Sequence, residues 1–214
     1  VVKDLAGIFE QLEDWSNSFT FYSWGFSLSN GDVALQTKAG HMKDKVAAAQ
    51  MAGLEERAKS NPDDPEVQAM LAERRSARIA ETLEEAKKRV EINPTDPTLR
   101  FELGQAYYNA GDYSGAIPQL QQAKRNPHIQ SKVLLLLGRT FKAKGMLDMA
   151  SKQLADALAD LVGMDNTKKE VLYEKGLIHE EMGDKTGALE SFKQIYEVDY
   201  GYRDVAQRVE SSYS

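Results

Sequence analysis

The chain has 214 residues, with a formal net charge of −6 and no cysteine. Disulfides, thiolate catalysis and cysteine-ligated zinc are thereby excluded. The acidic balance argues against a nucleic-acid partner, which calls for a basic face. No apolar run approaches the roughly 20 residues needed to cross a bilayer, so membrane insertion is not expected. The length suffices for a sizeable core, as one elongated array rather than two globular domains. Helix formers dominate, and five of the six prolines (Pro62, Pro65, Pro94, Pro97, Pro127) fall at expected helix boundaries.

The first segment, 1–31, reads as a helical hairpin entered in mid-helix. Glu13-Asp14-Trp15 stands at its turn, and Phe19, Tyr22 and Phe26 follow at spacings of three and four. This entry point reads as a fragment or processed form of something longer. Trp24 falls where a solvated charge is the usual choice. It either covers neighbouring structure or stands exposed as an anchor, since tryptophan is enriched at binding hot spots.

Segment 32–94 changes pattern. Leu35, Ala39, Met42, Val46, Ala49 and Gly53 recur at spacings of four and three, and no break intervenes. After the turn residues Ser60-Asn61-Pro62-Asp63-Asp64-Pro65 a second such stripe runs through Ala69, Ala72, Ser76, Ile79, Leu83, Ala86 and Val90. Two helices of about 27 residues would each be about 40 Å long. Their small residues predict a closely packed antiparallel hairpin, with Gly53 and Ala72 at the seam. The charges Arg74, Arg75, Arg78 and Lys87-Lys88-Arg89 read first as a solvated helix surface, with Glu84–Lys88 and Glu85–Arg89 at i,i+4 spacing. The other reading of the basic run is a face that docks an anionic partner.

From Pro97 on, three units (95–130, 131–167 and 168–201) share their punctuation. Gly104, Gly138 and Gly176 are each followed seven residues later by Gly111, Gly145 and Gly183. Ala116, Ala150 and Ala188 come next, and then Leu120, Leu154 and Phe192. Gly104 and Gly138 lie 34 residues apart. The early glycine lets two antiparallel helices approach, and the second supplies a left-handed turn. Residues 202–214, with Val205, Ala206 and Val209 on one side, read as an amphipathic terminal cap.

With this period and these motifs the chain resembles the tetratricopeptide repeat family, of a bacterial type by its Tyr202-Arg203-Asp204-Val205 ending. The resemblance implies an all-α fold: a solenoid of helical hairpins with one elongated hairpin and a C-terminal capping helix. It further implies a non-enzymatic scaffold for protein–protein interaction that holds a partner segment in the concave groove of its first helices. Carried over position by position, the groove residues are Phe101, Gln105, Tyr108, Lys132, Leu135, Arg139, Lys142, Tyr173, Leu177 and Glu180, with Trp24 as a second contact. The groove is expected to be basic in its middle and acidic towards Glu170, Glu180 and Glu181. The positions that clamp heat-shock chaperone C-termini in this family hold Phe101, Gln105, Leu136, Glu170 and Glu174 here. Such a ligand is therefore not expected.

Two other functions fit the same residues: a regulatory or targeting segment of a larger enzyme, and a structural spacer without a ligand. No catalytic residue, metal ligand or cofactor is expected. His179-Glu180-Glu181-Met182-Gly183 lacks the second histidine of a zinc-protease helix. Gly25-Phe26-Ser27-Leu28-Ser29 lacks the last glycine of a nucleophile elbow. His179 is expected to be a packed histidine. A cytoplasmic location is favoured over a periplasmic one, and the partner itself is unspecified.

Overall fold

The computed structural model describes residues 1–29 and 31–213. Asn30 and Ser214, inside the expected first hairpin and terminal cap, lie outside the described residues. Eleven α-helices and no strand occur among the described residues. They divide into two compact units, Val1–Ala77 and Arg78–Ser214.

The first unit begins with α1 (Val2–Gln11) and α2 (Trp15–Leu28), followed by α3 (Val33–Ser60) and the start of α4 (Pro65–Ile92). The turn between α1 and α2 uses Glu13 at φ 57, in the left-handed region that glycine fills elsewhere. Asp14 then caps α2 by accepting from the Asn17 amide. Ala6, Tyr22, Leu35, Ala39 and Met42 form the core of this unit, with Phe19 and Phe26 packed beside them. Ser18, in the slot where the later repeats carry alanine, is fully buried. Its hydroxyl donates to the Ala6 carbonyl at 3.0 Å, which satisfies the polar group.

Both long helices form without a break. The seam between α3 and α4, however, is not the one the small residues predict. Ala58, Val67 and Leu71 form the buried contact next to the turn, supported by Met51 and Leu54. Ala49, Gly53, Ala69, Ala72 and Ser76 are exposed. A β-carbon added at Gly53 would meet nothing within 4 Å. The reason is area: Val67 and Leu71 lie on the opposite side of α4 from Ala69 and Ala72, and each extra buried methylene is worth about 0.8 kcal/mol. The helix turns its larger side chains inwards.

The second unit holds the end of α4, then α5 (Pro97–Asn109), α6 (Tyr113–Ala123), α7 (Gln130–Ala143), α8 (Leu147–Ala159), α9 (Asn166–Glu181), α10 (Lys185–Tyr196) and α11 (Val205–Ser211). Each helix packs on the next from α5 to α11, and α7 also lies beside both α5 and α9. The first helices of the three repeats thus form a row. Added β-carbons at Gly104, Gly138 and Gly176 would come within 2.6, 2.6 and 2.5 Å of Leu120, Leu154 and Phe192, so the two helices of each repeat close to a distance that only glycine permits. At the turns, Gly111, Gly145 and Gly183 take φ of 76, 73 and 77. Asp112 and Asp184 then cap the following helices, accepting from Gly115 and Gly187. On α11, Val205 and Val209 bury against the last repeat as a terminal cap.

Charges on the second half of α4 pair differently from the i,i+4 expectation. Lys87 rather than Lys88 meets Glu84, at 2.7 Å, and Arg89 reaches across to Glu102 of α5.

Candidate functional site

The row of α5, α7 and α9 carries ten of the eleven expected contact residues; Trp24 lies in the other unit. Along this row the structure brings Tyr108, Arg139 and Lys142 into one electrostatic neighbourhood, together with Glu174. Burial raises the Tyr108 phenol above its ordinary pKa, and nearby Arg139 works against that rise. Its ring also lies 5.6 Å from Tyr113.

Arg139 is the electrostatic centre. Its Nη2 donates to Glu170 Oε1 at 2.7 Å, and its Nε donates to Glu174 Oε1 at 2.9 Å. Burial opposes the guanidinium charge, but the hydrogen bond it donates to Glu170 and the charge of Glu174 outweigh it and raise its pKa. Lys142 pairs with Glu181 at 2.8 Å. Glu180 pairs with Arg208 of α11, which also donates from Nε to Asp204 at 2.9 Å. The Asp204 hydrogen bond is the foremost reason that Arg208 is held above its usual pKa.

These pairings correct the expected charge pattern. The basic middle and the acidic end of the row neutralise one another across α7 and α9 instead of standing as separate fields. Tyr173 also departs from expectation. It is buried, its hydroxyl donates to Asp204 at 2.7 Å, and the Arg203 guanidinium sits 4.5 Å from its ring centroid. The cap segment covers it. Leu135 is buried in the core, and Leu177 packs half-buried against the C-terminal cluster.

The residues left accessible lie nearer α5. Phe101 and Tyr108 are half-buried at the edge of the core, Gln105 and Lys132 are exposed, and Lys132 has no ion-pair partner among the described residues. Gln105 also borders a recess of about 250 Å3 with Glu85, Arg89, Glu102 and Asn109.

Glu174, Asp204 and Arg208 were absent from the sequence-based groove set, and a signal for the first was present. Arg139 precedes Glu170 by 31 residues and Glu174 by 35, close to one repeat period, so opposite charges at facing positions of adjacent first helices pair.

His179 is half-buried and bridges two repeats. Its Nε2 lies 3.0 Å from Ser151 Oγ on α8, and its Nδ1 lies 2.8 Å from Asp184 Oδ2. The order Ser–His–Asp is that of a hydrolytic triad. Ser151, however, sits inside α8, where the backbone amides serve the helix and form no oxyanion hole. Asp184 is at the same time the α10 cap, and its carboxyl is held below the usual range by the Gly187 amide and, after opposing burial, by His179. The chain of hydrogen bonds is a strut between repeats. Among the described residues no group of three or more His, Cys, Asp or Glu could hold a metal ion, and no helix is long and apolar enough to cross a membrane.

In the first unit, Trp24 is 51% exposed. It leans on Phe21 at 6.1 Å, and Phe21 stacks on Phe9 at 5.3 Å.

Family profiles described as tetratricopeptide repeat match residues 99–128 and 169–202. No curated protein sequence matches the chain significantly. Among solved structures, a thermophilic tetratricopeptide repeat protein of Thermus thermophilus is 19% identical with a TM-score of 0.52, over 99% of this chain and 97% of the other. The C-terminal part of a repeat-containing protein from Cytophaga hutchinsonii is 16% identical with a TM-score of 0.64, over 95% and 84%. YrrB, described as a tetratricopeptide repeat protein with an unusual peptide-binding site, is 14% identical with a TM-score of 0.51, over 100% and 91%. At these identities the likeness is one of fold. With its repeat matches, shared glycine punctuation and row of first helices, the chain carries tetratricopeptide repeats in its second unit and shares its fold with solved proteins of that kind.

Proposed function

We propose that the protein is an interaction scaffold whose second unit holds a partner segment along the row of first helices. The contact is centred on the α5–α7 side. Phe101 and Tyr108 supply apolar surface there, Gln105 hydrogen-bonding capacity, and Lys132 an unpaired positive charge. Arg139 and Lys142 border this area with their charges already met by Glu170, Glu174 and Glu181. They act mainly to fix the neighbouring helices and the position of Tyr108.

The observation that carries this reading is the contrast in satisfaction along the row. Towards α9 and α11 the charges of Glu170, Glu174, Glu180, Glu181 and Arg208 are paired within the chain, whereas Gln105 and Lys132 project from the α5–α7 end without such partners among the described residues. A complementary segment would present an apolar side chain to Tyr108 and a carboxylate to Lys132, in an extended or helical form. A spacer without a ligand has no need of this surface. Affinity capture with the intact chain, beside the variant Tyr108→Glu, tests the proposal. Proteins retained by the intact chain and lost from the variant support it. Identical captured sets would remove the site from this row.

A further inference from the structure

In the first unit, α3 and α4 are held together on one side and open on the other. On the closed side Ala58, Val67 and Leu71 pack, the Gln68 amide donates to the Ala58 carbonyl at 3.0 Å, and Arg75 pairs with Glu55 at 2.8 Å. The open side is a groove of about 540 Å3. Its α3 wall is Gln50, Gly53, Leu54 and Arg57; its α4 wall is Met70, Glu73, Arg74 and Ala77. Each wall follows i, i+3, i+4, i+7, so one continuous face of each helix, two turns long, points into the opening.

The floor is apolar and in part very low. Met70 is 44% exposed, and the space over Gly53 is empty to 4 Å. Small residues at such positions let another helix approach closely. The rim carries Arg57, Glu73 and Arg74, none of which has an ion-pair partner among the described residues. Charges of both signs thus stand unpaired around one apolar strip.

We infer that this face pairs with the same face of a second copy of the chain. A twofold contact is self-complementary by construction, each patch meeting its own image. Here the image supplies what the patch lacks. Glu73 of each copy meets Arg57 of the other, and Leu54 and Met70 from both copies fill the low floor over Gly53 and Ala77. The result is a four-helix contact between two α3–α4 hairpins. A purely acidic partner helix would satisfy Arg57 and Arg74 but leave Glu73 facing like charge; a second copy pairs Glu73 with Arg57 twice over and leaves the two exposed Arg74 side chains to solvent. Two turns per helix make a small interface, so association belongs in the weak range, with Kd on the order of 10–100 µM.

Sedimentation equilibrium of the whole chain from roughly 1 to 200 µM tests this inference, because that range brackets the expected Kd. The chain should pass from monomer to dimer. Glu73→Arg should weaken the dimer at least about tenfold, the loss of one charge pair per half of the contact. Adding Arg57→Glu in the same chain should restore it. Neither side chain has an ion-pair partner among the described residues, so circular dichroism should confirm that both variants remain folded. A monomer throughout overturns the inference. So does a dimer indifferent to Glu73→Arg, which would place the contact elsewhere, for instance at Trp24.

Discussion

The Arg139 guanidinium on α7 closes on the Glu174 carboxylate on α9, with Nε at 2.9 Å and Nη2 at 2.8 Å from the same oxygen. The pair ties adjacent repeats together through their first helices, and only 14% of the Glu174 side chain is exposed. Removing the cation alone leaves Glu174 without a counter-charge beside Glu170, which keeps only the more distant Arg203 at 3.6 Å. Arg139→Ala should therefore cost about 1–3 kcal/mol of unfolding free energy, the usual penalty for leaving such a group unmet. Adding Glu174→Ala should recover part of that loss. Urea denaturation of the two single variants and the double variant checks it, and strict additivity would show that the pair is not coupled.

The repeat glycines and the glycines of α3 should respond to alanine with opposite signs. At Gly138 a new β-carbon would lie 2.6 Å from Leu154 Cδ2, in a core where Leu154 has no exposure. Gly138→Ala should destabilise by about 1–3 kcal/mol through overpacking. Gly40 lies within α3, exposed, with nothing within 4 Å of an added β-carbon. Gly40→Ala should stabilise by about 0.5–1 kcal/mol, because the helix loses a residue of high backbone entropy. Thermal melts of the two variants measure the contrast.

The repeat pattern made most of the fold legible before any coordinates. A glycine with left-handed φ ends the first helix of each repeat, and in the first and third repeats a capping aspartate follows it and starts the next helix, whereas Met146 after Gly145 makes no side-chain cap. Even the first hairpin follows this rule, with Glu13 taking the glycine's conformation ahead of Asp14. The α3–α4 seam was misread because periodicity finds a stripe without saying which of two stripes buries more area. Val67 and Leu71 won over Ala69 and Ala72 for that reason. At the candidate site the positions on the row were legible, while their availability was not. Whether Arg139 faces a ligand or Glu174 depends on side-chain reach between repeats, and whether Tyr173 is open depends on Arg203 and Asp204 of the cap.

Alkaline pH should loosen the first unit through Tyr22. Its hydroxyl donates to Glu10 Oε2 at 2.8 Å, and burial, reinforced by that carboxylate, pushes the phenol up to about 12. An unfolded tyrosine titrates near 10. The raised value means the folded state holds the proton more tightly, so this contribution is whole below pH 10 and is lost as pH rises towards 12. Stability measured between pH 9 and pH 12 should fall less steeply in Tyr22→Phe than in the intact chain. Equal slopes would mean that Tyr22 is not the group responsible.

The most direct test of the scaffold proposal is calorimetric titration of a captured partner segment against three proteins: the intact chain, Tyr108→Ala and Trp24→Ala. Tyr108→Ala should weaken binding at least about tenfold, the loss of roughly 1.4 kcal/mol expected of an aromatic contact at the centre of an interface. Trp24→Ala should leave the affinity within about twofold, since Trp24 stands outside the row of first helices. An unchanged affinity for Tyr108→Ala, with a large loss for Trp24→Ala, would contradict the account and move the binding site to the first unit.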